Sequence, residues 1–293
     1  MESKKPIVVG VGELLWDVFP TGKRAGGAPI NFVYHATQLG AEGYAVSAVG
    51  KDDLGKEILQ ELDKNHIAYC IDSLSYPTGT VQVKLNNGIP SYTIIENVAW
   101  DHIPLTPKAV ELVKNADAIC YGTLSLRNPD SRNTVTTLLS YAKKEALRFY
   151  DINLRQHYYS KELIEELLKY ANVFKINDEE LLVLRDLFKL EGTDNEVCRY
   201  FMDKYNLKYL ILTAGDKYSV VYSPKEYSRI DTPRVTVADT VGAGDSFSGA
   251  FVQGILSGKS LKDAHKQAVE ISAFVCTQTG AWPEYTKCTC TNK

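Results

Sequence analysis

The residues best suited to chemistry lie in the run 239–251, which reads Asp-Thr-Val-Gly-Ala-Gly-Asp-Ser-Phe-Ser-Gly-Ala-Phe. Three small residues, Gly242, Ala243 and Gly244, are followed at once by an acid, Asp245. The apolar residues that come next have helical spacing, so the run predicts a tight turn that opens a helix. The free amides of such a turn and the positive end of the helix dipole suit an anion, phosphate above all.

An acid at this place offers a second function. Asp245 could take a proton from a hydroxyl while the amides hold the phosphoryl group that the hydroxyl attacks. A simple turn with a helix cap is the alternative, because helix starts often combine Gly and Asp. The length of the run and a second glycine-rich run far upstream, at 26–31, favour the chemical interpretation.

Composition limits the classes of protein to consider. The chain has 293 residues, of which 44% are hydrophobic and 24% charged, as in an ordinary globular enzyme. This length allows one large α/β domain or two small ones, and without a Pro-, Gly- or Ser-rich linker we predict one domain over 1–293. The net charge of −3, without a basic cluster, gives nucleic acid binding little electrostatic support. No apolar segment is long enough for a signal peptide or a membrane span, so we expect a cytoplasmic protein.

The six cysteines predict neither a metal site nor a disulfide framework. Most of them lie among apolar residues, where a free buried thiol is usual. Cys288 and Cys290 lie in a polar tail without a His or a further Cys nearby, so zinc ligand spacing and number both fail. An even count does not imply disulfides in a chain of this length without a secretion signal.

Short apolar runs alternate with amphipathic helical runs along most of the chain. The strand-like runs are 7–12, 44–49, 117–121, 148–152, 172–176 and 209–212. The helical runs are 31–39, 54–65, 131–144, 161–170, 179–187 and 196–205. Apolar strands separated by helices predict a mostly parallel sheet that is covered by helices on both faces.

Residues 67–103 break this alternation, because no helical period appears there. Apolar and polar residues alternate instead, and Asn-Asn-Gly at 86–88 is a turn signal. We predict an antiparallel β flap that forms a lid together with about 13–24. A flap of this kind covers a ligand, makes a dimer contact or does both; a surface sheet without a function is the alternative.

The two glycine-rich runs together resemble the signatures of the PfkB (ribokinase-like) family of sugar kinases. Gly-Gly-Ala-Pro-Ile-Asn at 26–31 is similar to the N-terminal glycine pair and asparagine of the family, and 239–251 is similar to its C-terminal signature. The resemblance covers essentially the whole chain and is strongest to bacterial fructokinases, of which the segment 151–155 is typical. It implies a three-layer α/β/α domain with a mostly parallel central sheet and a small β-sheet lid.

The resemblance implies ATP-dependent phosphorylation of a sugar hydroxyl with Mg²⁺. Asp245 would be the base, and Gly242, Ala243 and Gly244 would form the anion hole. Glu180 would position Mg²⁺ through water, since Mg²⁺ dehydrates reluctantly. The implied sugar contacts, besides Asp245, are Asp17, Gly26, Gly27, Asn31, Trp100, Asp101, Asn153 and Arg155. The implied ATP contacts are Asn177, Thr213, Gly215, Gly242, Gly244, Ala273 and Gly280.

Many members of the family also bind a monovalent cation such as K⁺, and the backbone carbonyls of Asp239 and Val241 would hold it here.

Several of these residues have structural alternatives. Asp17 could be a turn residue and Asn31 a helix cap. Arg155 could belong to a surface ion pair, and Glu180 is an acid of the kind that the start of a helix favours. Trp100 could stack on a sugar face or fill the small core of the flap.

The resemblance favours fructose, phosphorylated at its 6-hydroxyl, as the substrate. Alternatives are a kinase of 2-keto-3-deoxygluconate, ribose or a nucleoside, or a catalytically idle sugar-binding regulator. Tyr218 and Val269 replace residues that are frequent in the family, which leaves the preference for ATP open. The expected partners are a sugar and ATP, neither nucleic acid nor a membrane, and a second copy of the chain if the exposed edges of the lid pair.

Overall fold

The computed structural model describes the backbone of residues 4–86 and 89–285, and the side chains of these residues apart from 83–91. Most of the predicted turn at 86–88 therefore lies outside the described residues, as do Cys288 and Cys290. The cysteines within the described part are free thiols, as expected. In the same part of the chain, no helix combines the length and the apolar character needed to cross a membrane.

The strands follow one another along the chain with helices between most of them. They are β1 (Ile7–Val11), β2 (Leu15–Phe19), β3 (Gly22–Gly26), β4 (Glu42–Gly50), β5 (Ala68–Leu74), β6 (Gly79–Asn86), β7 (Ile89–Ile94), β8 (Ala118–Gly122), β9 (Leu147–Asp151), β10 (Val173–Asn177), β11 (Tyr209–Ala214), β12 (Tyr218–Tyr222) and β13 (Tyr227–Asp231). The helices are α1 (Ala28–Gln38), α2 (Asp53–Lys64), α3 (Pro107–Asn115), α4 (Pro129–Ser140), α5 (Lys161–Leu168), α6 (Asp178–Phe188), α7 (Asp194–Lys204), α8 (Ala243–Leu256) and α9 (Leu261–Cys276).

Nine strands form the large sheet, in the order β13-β12-β11-β10-β9-β8-β1-β4-β5. All neighbours from β11 to β5 are parallel, and β12 and β13 extend the other edge in antiparallel fashion. The prediction of a mostly parallel sheet is confirmed. In a parallel sheet the C-terminal ends of the strands lie along the same edge of the sheet. Ligands bind at this edge.

Local sequence explains where the helices begin. The side chains of Asp52, Thr106 and Ser160 each accept a hydrogen bond from a backbone N–H in the first turn of the helix that follows. Helix α1 begins at Ala28 rather than at the predicted 31, because Pro29 fits the first turn, where its missing N–H removes no helical hydrogen bond.

The second, smaller sheet has the order β3-β2-β6-β7 and contains the predicted β flap. Strands β6 and β7 pair in antiparallel fashion as predicted, but β2 pairs with β6 in parallel, so the sheet is mixed. The predicted extent of 67–103 is wrong at both ends. Strand β5 pairs in parallel with β4 in the large sheet, and Ala99–His102 forms a short 3-10 helix. Because β5 is a half-exposed edge strand, its polar and apolar residues alternate in the same way as those of a flap strand.

Helices cover both faces of the large sheet, as predicted. On one face α1, α2, α8 and α9 bury a core that includes Phe32 and Phe251. On the other face α3 to α7 bury a core that includes Tyr150. Successive residues of β1 supply both cores, Val8 the first and Val9 the second, because neighbouring side chains of a strand point to opposite faces.

Helices α1 and α8 pack closely because a glycine stands at their contact. A Cβ atom on Gly249 would lie 2.6 Å from the carbonyl oxygen of Phe32 and 3.0 Å from the Cβ of His35. A larger residue therefore cannot fit unless one backbone moves. This contact fixes the first turn of α1, with Asn31, relative to the first turn of α8, with Asp245.

Replacing Gly249 by alanine should push α1 and α8 apart. We expect Gly249→Ala to lower the free energy of unfolding by about 1–3 kcal/mol, the usual effect of an extra methyl group in a packed interior. Denaturant titration measures the change. An unfolding midpoint equal to that of the wild type would contradict the close contact between these two helices.

Candidate active site

A cleft of about 720 Å³ lies between the large sheet and the small sheet. Its floor is formed by residues at the ends of β1, β9, β10 and β11 together with the loop before α8, and apolar side chains of the small sheet face it. Most of the site residues implied by the sequence meet here. Those that line the cleft are Asp17, Gly27, Asn31, Asn153, Arg155, Asn177, Glu180, Thr213, Val241, Gly242, Gly244 and Asp245.

The loop before α8 has the conformation expected of an anion site. Gly242 is the N-cap residue, with φ 77° and ψ −1°, and a Cβ there would lie 2.9 Å from the Cβ of Ala281. Both the left-handed backbone and the close approach require glycine. Among the described residues, no side chain caps the first turn of α8. The N–H of Ala243 donates to the carbonyl oxygen of Thr240 at 3.3 Å, whereas the N–H groups of Gly242 and Gly244 have no hydrogen-bond partner in this part of the chain.

Asp245 lies in the first turn of α8 beside these amides, and its orientation is fixed by Asn31. The amide nitrogen Nδ2 of Asn31 donates a hydrogen bond of 2.7 Å to Asp245 Oδ2. Trp282 Nε1 in turn donates to Asn31 Oδ1 at 2.8 Å, which fixes the amide of Asn31. Burial and the charge of Asp151 raise the pKa of Asp245 to about 6, against the opposing effect of the Asn31 hydrogen bond. A carboxylate with this pKa is suited to act as a general base near neutral pH.

Glu13 is a second acid of the cleft, and sequence reasoning missed it. Its side chain is buried, and Oε1 accepts a hydrogen bond of 3.2 Å from the N–H of Ala28 at the start of α1. Burial, with a smaller contribution from the charge of Asp245, raises the pKa of Glu13 to about 7. Gly27 packs against the same residue, since a Cβ on Gly27 would lie 2.0 Å from the Glu13 carbonyl oxygen. The one available signal was that Glu13 follows directly after a buried strand.

A buried ion pair between Asp151 and Lys175 was also missed as part of the site. Lys175 Nζ and Asp151 Oδ2 are 2.8 Å apart; Asp151 is the last residue of β9, and Lys175 lies opposite it in the middle of the neighbouring strand β10. Ser248 Oγ is 3.3 Å from the same oxygen, but its shorter hydrogen bond goes to the carbonyl oxygen of Gly244 at 2.9 Å. Burial opposes the charge of Lys175, but Asp151 and Glu180 outweigh it and raise the pKa of the lysine. Charged residues inside otherwise apolar strands were the signal in the sequence.

Glu180 lies at the start of α6, and both of its carboxylate oxygens are engaged. Oε2 accepts a hydrogen bond from the N–H of Asn177, and Oε1 accepts one from the N–H of Leu154, each at 2.9 Å. The buried carboxylate retains lone pairs toward the cleft, which fits a contact to Mg²⁺ through water. Among the described residues, no group of three or more His, Cys, Asp or Glu side chains could hold a metal ion by itself. Phosphate oxygens and water would therefore supply most ligands of such an ion.

Asp239 connects the loop before α8 to the small sheet. Its carboxylate accepts hydrogen bonds from Arg24 Nη1 in β3 at 2.8 Å, and from the N–H groups of Gly280 and Val241 at 3.1 Å each. These contacts concern the side chain only. The role of the Asp239 and Val241 carbonyls toward a monovalent cation stays a prediction.

Some implied site residues do not line the cleft. Gly26 lies next to Asp17, whose Oδ2 is 3.2 Å from the place of a Cβ on Gly26. Ala273 is buried within α9, and the N–H of Gly280 binds Asp239 instead. Ala243 and Gly215 are likewise absent from the cleft walls. Their assigned contacts to sugar or ATP stay predictions.

The expectation that Trp100 and Asp101 close over a sugar is wrong. Both are 1% exposed and neither lines the cleft. Asp101 forms a two-point ion pair with Arg127, with nitrogen–oxygen distances of 2.8 Å, and the Arg127 guanidinium lies 4.1 Å from the centre of the Trp100 ring. Trp100 thus fills the core, which was one of its two interpretations. The guanidinium of Arg127 contacts both residues there. Tyr92 is the aromatic side chain of β7 at the cleft.

The arrangement of the site defines a class of enzyme. An anion loop at a helix start, a carboxylate beside it and a small sheet across the cleft are suited to phosphoryl transfer to a hydroxyl. A family model for pfkB family carbohydrate kinases matches residues 8–287. The chain belongs to this family and is a sugar kinase.

Similar proteins agree with this assignment. The ATP-dependent 6-phosphofructokinase of Thermoanaerobacterium thermosaccharolyticum is 28% identical, over 96% of this chain and 91% of its own. Fructokinase-2 of Solanum lycopersicum is 28% identical, over 96% of this chain and 93% of its own.

Solved structures have the same fold. A sugar kinase of Pyrococcus horikoshii in complex with ATP is 26% identical, with a TM-score of 0.79 and coverage of 94% of both chains. The fructokinase of Vibrio cholerae with fructose, ADP and calcium bound is 21% identical, with a TM-score of 0.79 and coverage of 95% of both chains. The ribokinase-like fold implied by the sequence, with a large mostly parallel sheet and a smaller one, is confirmed.

The pKa of Asp245 predicts an acid limb in the pH profile. Since only the ionised carboxylate accepts a proton, kcat/KM should fall as the pH drops through about 6. Asn31→Ala removes a hydrogen bond that lowers this pKa, so the midpoint should move to higher pH. Glu13→Gln and Asp17→Asn are the controls, because each removes another cleft acid whose pKa lies near this range, and both should keep the limb. An unchanged midpoint in Asn31→Ala would contradict the claim that the Asn31 hydrogen bond lowers the pKa of Asp245.

The buried pair of Asp101 and Arg127 predicts a variant that affects stability only. Asp101→Ala should lower the free energy of unfolding by about 3–5 kcal/mol, because it leaves a buried guanidinium without its partner. The KM for sugar of the folded enzyme should not change. Asp130→Ala, which removes the exposed partner of His102, is the control and should cost at most about 1 kcal/mol. A raised KM at wild-type stability would restore Asp101 to the sugar site.

Proposed function

We propose that this sugar kinase transfers the γ-phosphoryl group of ATP to the 6-hydroxyl of fructose, with Asp245 as the general base. One observation carries the proposal: the hydrogen bond from Asn31 holds the Asp245 carboxylate beside the open amides at the start of α8. A hydroxyl bound between them would meet the carboxylate on one side and the phosphoryl group on the other. Short distances of this kind supply much of the catalysis in phosphoryl transfer.

The proposed reaction needs no covalent intermediate on the protein. The hydroxyl oxygen forms a bond to the γ-phosphorus as the bond from that phosphorus to the bridging oxygen of ADP breaks. The hydroxyl proton passes to Asp245. The amides of Gly242 and Gly244 receive the developing negative charge, and each such donor is worth about 3 kcal/mol. The N–H of Ala243, assigned to the same anion hole from the sequence, is bonded to the carbonyl oxygen of Thr240. Mg²⁺, when bound, neutralises phosphate charge, and Glu180 would hold it through water.

The charge of the cleft supports an uncharged sugar. The acids that line it are Glu13, Asp17, Asp151, Glu180 and Asp245, and the bases are Arg155 and Lys175. Lys175 is already paired with Asp151. Burial raises the pKa of Asp17 to about 6, although the charges of Arg155 and Arg24 oppose this. A polyol can donate hydrogen bonds to such acids, whereas the phosphate of a sugar phosphate would need a cation of its own, besides the groups that bind the phosphates of ATP.

The names of the similar proteins support a fructose derivative. Fructokinases are among them, and so are complexes with ATP. A 6-phosphofructokinase is also among them, which makes fructose 6-phosphate the second candidate. The excess of acids over free bases in the cleft favours fructose.

Four further expectations are part of this proposal. The protein acts in the cytoplasm as a single domain with a lid, its nucleotide is ATP despite Tyr218 and Val269, and K⁺ binds at the carbonyls of Asp239 and Val241. Two copies pair through the edges of the small sheet.

A panel of acceptors tests the substrate. Fructose, fructose 6-phosphate, 2-keto-3-deoxygluconate, ribose and a nucleoside are each offered with MgATP, and ADP release is measured. We expect the highest kcat/KM with fructose and a rate reduced by about 10²–10⁴ in Asp245→Asn, the usual contribution of a general base. A higher kcat/KM with fructose 6-phosphate would contradict fructose as the substrate. Near-full activity of Asp245→Asn would contradict the assignment of Asp245 as the general base.

A further inference from the structure

We propose that Lys175 is a catalytic residue whose ammonium group contacts the transferred phosphoryl group at the loop before α8. This role deepens the proposed function and rests on it in one respect, namely that the phosphoryl group binds at this loop. Lys175 lies on β10 and lines the same cleft as Gly242, Gly244 and Asp245.

The position of the ammonium group supports this contact. Lys175 Nζ is 3.4 Å from the point that a Cβ on Gly244 would occupy, and the Cε atom is 3.9 Å from it. Gly244 is itself exposed. Because Gly244 carries no side chain, nothing from that residue stands between the ammonium group and the anion loop.

The burial of Lys175 is unusual within this chain. Among the lysines whose side chains the structure describes, Lys175 is the only one in the buried class, with 6% of its surface exposed. A buried ion pair carries a desolvation penalty that its own attraction often fails to offset, so stability alone gives little reason to keep it. A fixed positive charge that lines the cleft beside the anion loop has a clear use in anion chemistry.

The hydrogen bonds of the pair leave donors for a ligand. An ammonium group has three N–H donors, and one of them is directed to Asp151 at 2.8 Å. Asp151 is itself buried, so the ion pair gives the lysine a fixed anchor. During transfer the negative charge spreads over the three equatorial oxygens of the phosphoryl group, and a pre-positioned cation stabilises it. Lys175 stays protonated, while the hydroxyl proton goes to Asp245.

Lys175→Met tests the role, but this variant also leaves Asp151 buried without a partner. The double variant Lys175→Met/Asp151→Asn removes both charges and should recover much of the lost thermal stability. We expect the double variant to keep kcat reduced by about 10²–10³, the usual loss for one transition-state donor. The KM for sugar should change little. If Lys175 only neutralises Asp151, activity will return together with stability in the double variant, which would overturn the proposal.

Two further variants complete the experiment. Lys143→Met and Lys143→Met/Asp117→Asn remove a half-exposed ion pair near the start of β8, at the other end of the sheet from the cleft, and should leave kcat unchanged. All variants are assayed with the acceptor that the wild type uses best, so a sugar other than fructose does not affect the outcome. Asp245→Asn is measured in parallel. Activity retained there, but lost in the Lys175 double variant, would reject the proposed base and keep the role of Lys175.

Discussion

The packing of α1 against α8 is the constraint on which the site depends. The two helices can approach because Gly249 offers no side chain at their contact. Their first turns then meet at the cleft, and Asn31 donates its hydrogen bond to Asp245 across the junction. The two glycine-rich runs of the sequence are far apart in the chain and serve this single junction. Glu13 also contacts this junction, because its carboxylate accepts a hydrogen bond from the N–H of Ala28 at the start of α1.

Electrostatics in the cleft follow from the same geometry. Strands β1, β9 and β10 all end at this edge, so the acids that follow them lie close together in a partly buried space. Burial raises the pKa of Glu13 and of Asp245 into the range between about 6 and 7. Such pKa values suit proton transfer near neutral pH. They result from burial and from the neighbouring acids of the cleft. Lys175 offsets part of this negative charge where the phosphoryl group would bind.

The sequence predicts best those features that local backbone geometry demands. The glycines at 27 and 242 both have positive φ angles. The neighbours of Gly242 in the chain predicted its turn, whereas Gly27 was identified only through the resemblance of 26–31 to the family signature. Features that depend on distant contacts were not predictable from local pattern. The apolar neighbours of Lys175 in β10 indicate its burial, but its ion pair with Asp151 is recognisable only when β9 lies beside β10. Asp101 is recognisable as structural only when Arg127 is near. Strand β5 was misplaced for the same reason, since an edge strand and a flap strand have equal periodicity.

The central claim is that Asp245 faces the acceptor hydroxyl across the anion loop. A crystal structure with the bound acceptor sugar and a non-hydrolysable ATP analogue tests it directly. The distance to measure runs from the nearer Asp245 carboxylate oxygen to the hydroxyl that lies closest to the γ-phosphorus. We predict about 2.6–3.2 Å, the reach of a general base. An Asp245 side chain turned into the protein interior, with the hydroxyl bound to another group, would contradict the account.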